Sequence, residues 1–362
     1  MRSDGGRGAL STPQSRFHSV QRIPLTDAYA DKKEDCDLAP KGTRTTVISE
    51  NAKSILSHNR SPDVPFNTSL NAYRGCEHGC IYCYARPSHA YVDLSPGRDF
   101  ESIIFAKRNA ARLLRKEFQK PGHNVETIVM GANTDPYQPI EKEEGITRSL
   151  LELCLEYRHP VAITTKNHLI LRDLDLLSEL AALELVSVNL SITGLDADLS
   201  SRMEPRASSP QRRLEALAAL RANQIPAGVL MAPIIPGLND VSIESVVAAC
   251  AGARAQWLFH ILLRMPYEIK DLFSEWLDHH FPEKKDRILH LIQSTRGGKM
   301  NDPRFGHRMS GKGNYASLIH MRVRSSVIRH GIPQLSARLR KDLFLRAPHG
   351  QPDLFGAGDA PG

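Results

Sequence analysis

Six times between residues 69 and 281, an apolar run of strand length ends in a polar or Gly/Pro-containing turn, and a helical pattern follows. The predicted strands are 69–74, 126–130, 161–164, 185–191, 227–232 and 257–263. The predicted helices are 101–118, 146–157, 171–183, 210–223, 242–253 and 270–281. Of these, 210–223 opens with Ser209 as N-cap and Pro210 at the first helical position. This alternation dictates an α/β chain with a parallel sheet and right-handed crossovers. Whether the sheet closes fully, partly or not at all does not follow from it. In each case reactive groups gather at the C-terminal ends of the strands.

The flanks read differently. Residues 1–45 are rich in Gly, Ser, Pro and charge without a period, and are expected to form a disordered tail. Residues 46–268 hold the alternating units. Residues 269–346 form a helical, basic extension, with helical patterns at 283–294 and 315–330, and 347–362 again read as a tail. The chain carries a net charge of +7. Between Arg296 and Arg346, twelve basic residues face only Asp302 and Asp342, a local +10 that exceeds the total. Such a patch is the footprint of a polyanion partner or, alternatively, a solvated helical face. No run of 18 apolar residues crosses a membrane, and residues 1–11 lack the apolar stretch of a secretory leader.

The cysteines are Cys36, Cys76, Cys80, Cys83, Cys154 and Cys250, three of them within eight residues. That distribution indicates a metal site in a reducing, cytoplasmic compartment and not a disulfide framework. The first predicted strand runs into Arg74-Gly75-Cys76-Glu77-His78-Gly79-Cys80-Ile81-Tyr82-Cys83-Tyr84-Ala85-Arg86. Cys76, Cys80 and Cys83 can hold three corners of an iron–sulfur cubane, with Gly75 and Gly79 allowing the turns between them. No fourth cysteine lies nearby, which leaves one iron open. The competing reading is a zinc knuckle that adds His78. Four ligands crowded into eight residues fit the paired spacing of structural zinc poorly.

Cys-x3-Cys-x-aromatic-Cys, with Tyr82 as the aromatic, resembles the cluster loop of the radical S-adenosylmethionine (SAM) superfamily. The longer string from Tyr73 to Arg86 is similar to the branch related to spore photoproduct lyase, the DNA-repair-photolyase-like proteins. The resemblance extends from about residue 45 to about residue 330. It implies a partial (β/α)6 TIM-like barrel with a [4Fe-4S] cluster at its open top. It also implies S-adenosylmethionine chelated to the open iron, and a low-potential flavodoxin- or ferredoxin-like electron donor. Reductive cleavage then yields a 5′-deoxyadenosyl radical that takes hydrogen from a substrate.

The other strand ends supply cofactor-binding candidates. The second ends in Gly131-Ala132-Asn133-Thr134-Asp135-Pro136-Tyr137. Superfamily members often carry a Gly-Gly-Glu-like turn there, so Gly131, Asn133, Thr134 and Asp135 are stand-ins; the plainer reading is a polar loop with Asp-Pro turn chemistry. Lys166, ending the third, can neutralise a carboxylate or an anionic substrate, or be a surface cation. Ser191 ends the fourth and can reach a ribose, while Arg206 in the following loop can fork a carboxylate; both can equally belong to a capped loop. After the fifth, the Pro-stiffened bend with Pro233 and Ile235 suits one face of an adenine.

The basic extension favours a nucleic acid, with DNA the expected partner. Phe305 and Tyr315 can stack on exposed bases or anchor the C-terminal helix. Gln351-Pro352-Asp353-Leu354-Phe355 resembles the short peptide with which bacterial repair proteins bind the sliding clamp. Proteins of the spore photoproduct lyase type return hydrogen from an active-site cysteine. Here Cys154 and Cys250 lie in helices and no cysteine marks a strand end, so Tyr82, Tyr84 and Tyr137 are the candidates for handling a radical. The leading expectation is radical chemistry on a nucleic acid, reversing a base lesion. The alternatives are the same chemistry on a protein or small molecule, and a non-catalytic nucleic-acid-binding metalloprotein.

Overall fold

The computed structural model describes residues 6–17, 44–335 and 337–346. Its strands are β1 (Thr46–Ser49), β2 (Leu56–His58), β3 (Thr68–Leu70), β4 (Tyr73–Arg74), β5 (Ile103–Ala106), β6 (Ile128–Met130), β7 (Val161–Thr165), β8 (Val186–Ser191), β9 (Ala227–Ile234) and β10 (Leu258–Leu262). Seven of them form one sheet in the order β10-β9-β8-β7-β6-β3-β2. From β3 through β6 to β10 every pairing is parallel, and β2 adds an antiparallel edge. The six expected strand–helix units are therefore present as a partial barrel.

Burial explains the pattern. Val186, Val188 and Leu190 on β8 have no exposed surface, and neither do Val161 and Ile163 on β7. The helix Ala110–Phe118 buries Ala110, Leu114 and Phe118 on one stripe and leaves Arg115 and Lys116 outside. The helix Ile146–Glu156 packs Leu150, Leu151, Leu153 and Cys154 into the same apolar core.

Three expectations need correction. The first strand breaks at Asn71: β3 belongs to the barrel, whereas β4 swings out to pair with β5 in a separate sheet with β1. The predicted helix 101–118 is interrupted: a short helix Asp99–Ser102 gives way to β5, taken by those two pairings, and the main helix starts at Ala110. Residues 6–17, expected within a disordered tail, are packed, with Arg7, Gly8 and Ala9 buried. Cys36, the rest of the N-terminal stretch and the peptide Gln351 to Phe355 lie outside the described residues.

The extension closes the open side of the barrel. Arg296, buried, donates to the carbonyls of Leu262 and Leu263 at the end of β10 and to those of His307 and Arg308. The Leu262 amide bonds the Met309 carbonyl at 3.0 Å, which covers the edge strand. At the far end, Asp63 in the β2–β3 turn accepts from the Gly306 amide at 2.7 Å and from Arg308 at 2.5 Å. Beyond the helix Asn314–Arg329 the chain crosses the opposite face. The amides of Leu335, Arg340 and Leu345 bond carbonyls of Gln256, Glu184 and Tyr157, which precede β10, β8 and β7. Residue 346 is thus reached at the barrel end away from the cysteines.

Candidate active site

The cysteine loop follows β4 and is held from beneath by ion pairs. Arg86, with no exposed surface, donates Nε to the Cys80 carbonyl at 2.8 Å and Nη2 to the Gly79 carbonyl at 3.0 Å, and it pairs with the buried carboxylate of Glu101. Glu101 also accepts the Gly8 and Ala9 amides, each at 2.8 Å, so residues 6–17 are strapped onto the loop. Gly8 is required at this contact: a Cβ there would lie 1.7 Å from the Gly79 carbonyl oxygen. On the other side, Ile81 is fully buried among Met203, Ile235, Leu263, Trp276 and Ile288, and its amide bonds the Met203 carbonyl at 3.0 Å. The extension's first helices therefore support the loop.

Cys76 and Cys80 are buried and Cys83 is partly exposed; all three are free thiols close enough to act on one another. Burial raises the Cys76 and Cys80 thiols well above their ordinary value, with Asp135 adding to it at Cys76 and Lys166 opposing it at Cys80. They ionise readily only against a bound cation, as ligand thiols do. Both nitrogens of His78 are occupied, Nδ1 by Asp135 at 3.2 Å and Nε2 by Asn167 at 3.3 Å. A zinc site that uses His78 is disfavoured on that ground. Among the described residues no three His, Cys, Asp or Glu side chains gather around one metal ion. A cubane takes one thiolate at each of separate irons, and three spaced thiols suit it.

The expected strand-end residues separate into groups. Asp135 is engaged below the loop with His78, the Thr165 hydroxyl at 2.7 Å and the Lys166 amide at 2.7 Å. Burial opposes its ionisation, yet these partners bring it down to about 2. Asn133 is exposed, and the Asn133 and Thr134 amides are pinned by the Asn71 side chain. Gly131 has φ +95° and sits against β7, where a Cβ would come within 2.2 Å of the Thr164 carbonyl oxygen. Lys166 acts on Cys80, and its Nζ is 5.9 Å from the Tyr82 ring centroid. The Tyr82 hydroxyl donates to Glu204, which is itself paired with buried Arg213.

Several expected roles shift. Arg206 pairs with the buried Glu77 at 3.0 Å, so its guanidinium braces the cysteine loop and is not a free fork for a ligand carboxylate. Tyr137 has no exposed surface and belongs to the main apolar core. Ile235 is equally buried, in the cluster beneath Cys80 and Tyr82, which leaves Pro233 as the partly exposed residue of that bend. The Ser191 hydroxyl donates to the Ala232 carbonyl at 3.3 Å. Tyr315 is an anchor, its hydroxyl bonded to Asp240 at 2.5 Å, whereas Phe305 is 58% exposed. The basic arithmetic of the extension also overstates its free charge. Arg304, Arg308, Arg322, Arg340 and Lys341 sit in ion pairs, and Arg296 is used on carbonyls.

Sequence reasoning missed Arg7, Gly8, Arg86, Glu101, Asn167, Glu204, Arg213 and Arg264. Arg86, which ends the motif string, and the pair Arg213–Glu204 have partners within ten residues, whereas Arg7, Gly8 and Asn167 meet partners dozens of residues away.

Comparison with known proteins agrees with this geometry. The family model described as the Radical SAM superfamily matches residues 70–250. An uncharacterized protein of Mycobacterium tuberculosis (strain H37Rv) is 35% identical over 260 residues, 70% of this chain and 76% of that protein. An uncharacterized protein of Methanocaldococcus jannaschii is 29% identical over 247 residues, 68% of this chain and 88% of that protein. Among solved structures, spore photoproduct lyase complexed with dinucleoside spore photoproduct shares the fold with a TM-score of 0.56. It is 15% identical, with 79% of this chain and 80% of that one covered. A double mutant of the same lyase with bound AdoMet and dinucleoside spore photoproduct gives a TM-score of 0.55 at the same identity and coverage. The chain belongs to the radical SAM superfamily, and is a radical SAM enzyme that uses a [4Fe-4S] cluster and S-adenosylmethionine.

Proposed function

We propose that this enzyme repairs a damaged base in DNA, with Cys76, Cys80 and Cys83 as its cluster ligands. The observation that carries the substrate class is a pair of exposed rings, Tyr84 beside Cys83 and Phe305 in the extension, each faced by a guanidinium. Rings backed by cations suit unpaired bases. When bound, the cluster and cofactor supply one-electron chemistry that ends in removal of hydrogen from carbon. The chain's own groups position the partners. Lys166 would take the cofactor carboxylate, and Pro233 and Ser191 would border its nucleoside. Carbonyls of the turn 131–134 would meet its ammonium, apart from that of Ala132, which accepts the Tyr84 hydroxyl. Asp135 and Arg206 hold His78 and Glu77, and so keep the loop's shape. Tyr82 and Tyr84 remain the tyrosines near the thiols.

We place the enzyme in a reducing, cytoplasmic compartment, with a flavodoxin- or ferredoxin-like donor for the electron that radical SAM chemistry needs. No helix of the described residues is long and apolar enough to cross a membrane. The segment Gln351 to Phe355 is read, from its sequence, as a sliding-clamp-binding peptide. Deleting residues 351–362 should abolish clamp binding.

The deciding experiment is anaerobic reconstitution with iron and sulfide, followed by assay of 5′-deoxyadenosine and methionine. Damaged DNA, undamaged DNA, RNA and peptides are added in separate arms. Stimulation by damaged DNA is expected. Stimulation by peptide alone, or none by any nucleic acid, overturns the substrate class, and no cofactor cleavage at all means the cluster ligands are misassigned.

A further inference from the structure

Two cations flank the cysteine loop without a carboxylate partner within ion-pair distance among the described residues. Lys166 stands at the end of β7 beside Cys80. Arg264 stands two residues past β10, on the Cys83 side of the loop. Its guanidinium lies 4.6 Å from the Tyr84 ring centroid, and Nη1 meets the Met309 sulfur at 3.2 Å. A sulfur and a ring face leave most of its N–H groups unused.

The surroundings of Arg264 are electrostatically unbalanced. Arg308 and Arg296 both act on it. The carboxylate in reach, Asp63, is already held by Arg308 and by the Gly306 amide. Arg296 is spent on four carbonyls, which offset little charge. Arg296 also feels Asp302, but that carboxylate is already forked by Arg304. Four guanidiniums gathered with two carboxylates among them form a site that favours a further anion.

The same row reaches the surface. Arg308 faces the Phe305 ring at 4.7 Å, Phe305 is 58% exposed, and Tyr84 is 47% exposed. From Cys83 outward the order is Tyr84, Arg264, Arg308, Phe305: ring, cation, cation, ring. A small phosphorylated metabolite would use one ring and one cation. A strand with repeated phosphates and unpaired bases uses the whole row.

We propose that Arg264 binds a backbone phosphate of the substrate strand while Tyr84 and Phe305 stack on unpaired bases, so that this row guides the strand toward the cluster. The inference rests on the nucleic-acid reading above and names the residues that recognise it.

The test uses the reconstituted full-length enzyme and a fluorescein-labelled single-stranded DNA 12-mer, titrated by anisotropy over a salt series, with Arg264→Gln, Arg264→Lys and Phe305→Ala. Arg264→Gln should weaken binding roughly ten-fold and reduce the slope of log K against log salt by about 0.7, the value for one phosphate contact on a single strand. Arg264→Lys should restore the slope but not the full affinity, because ammonium does not reproduce the guanidinium face. Phe305→Ala should weaken binding roughly ten-fold with the slope unchanged, as loss of stacking does. S-adenosylmethionine binding, followed by equilibrium dialysis, should be unchanged in all three. An Arg264→Gln enzyme that binds the strand with wild-type affinity and slope overturns the proposal. So does one that loses S-adenosylmethionine, since Arg264 would then serve the cofactor. Should Arg264→Gln fail to fold by circular dichroism, Phe305→Ala at an exposed position decides: wild-type affinity there overturns the row. A wild-type enzyme with no affinity for the 12-mer or for damaged duplex refutes the nucleic-acid reading itself.

Discussion

The guanidinium of Arg86 and the carboxylate of Glu101 form an ion pair in which neither side chain has any exposed surface. Arg86 spends its other N–H groups on carbonyls of Gly79, Cys80, Pro96 and Gly97. Glu101 spends its remaining capacity on the amides of Gly8 and Ala9. One buried pair thereby joins the cysteine loop to the segment that covers it. Glu101→Ala leaves a buried cation unpaired, and breaking such a pair costs about 3–5 kcal/mol. Urea unfolding of the apoprotein should show that loss, and reconstituted protein should bind less iron. An unchanged urea midpoint would refute the clamp.

Gly8→Ala should lift the strap without unfolding the barrel, because the clash is with one backbone oxygen of the loop. The expected signs are faster cleavage near residues 6–17 in limited proteolysis and faster bleaching of the reconstituted cluster in air. Equal rates for variant and wild type would show that the strap shields nothing.

Cys76→Ala, Cys80→Ala and Cys83→Ala should each abolish the brown chromophore and 5′-deoxyadenosine formation after anaerobic reconstitution. Cys154→Ala and Cys250→Ala should keep both, since these thiols are buried in outer helices against the main core. Loss of a buried sulfur there should appear only as lower stability, by roughly 1–2 kcal/mol. A chromophore that survives loss of any loop cysteine would contradict the ligand assignment.

His159 has no exposed surface, stacks on Phe118 at 4.5 Å, and contacts His123 and the Pro160 carbonyl at 3.1 Å each. Burial, with a lesser push from His123, lowers its pKa to about 3. The unfolded chain protonates this group near 6.5, and the folded chain does so only near 3. Its stabilising contribution is therefore complete above pH 6.5 and is lost progressively as pH falls toward 3. His159→Gln should shrink the drop in unfolding free energy between pH 7 and pH 4 by about 3 kcal/mol. Parallel pH profiles for variant and wild type would place the acid sensitivity elsewhere.

Much of the barrel was legible along the chain because its signals are local. The helix at Pro210–Ala222 is announced by Ser209 and Pro210, and the parallel strands by β-branched runs bounded by turns. The expected helix 101–118 fails at its start because Ile103, Ile104 and Phe105 suit a strand, a preference too short to outweigh the helical pattern that follows it. Pairing with β1 and β4, whose residues lie elsewhere in the chain, makes it a strand.

The spacing of Cys76, Cys80 and Cys83 by itself pointed to the radical SAM superfamily, since groups on one short loop are close whatever surrounds them. Only the tertiary structure decided what each remaining polar residue does. Arg206 meets Glu77, Asp135 meets His78, and Tyr137 falls into the core, while Arg264, unmarked by any motif, stands beside Tyr84. Residue type records what a side chain can bind, but its partner is set by folding that brings together groups dozens to hundreds of residues apart.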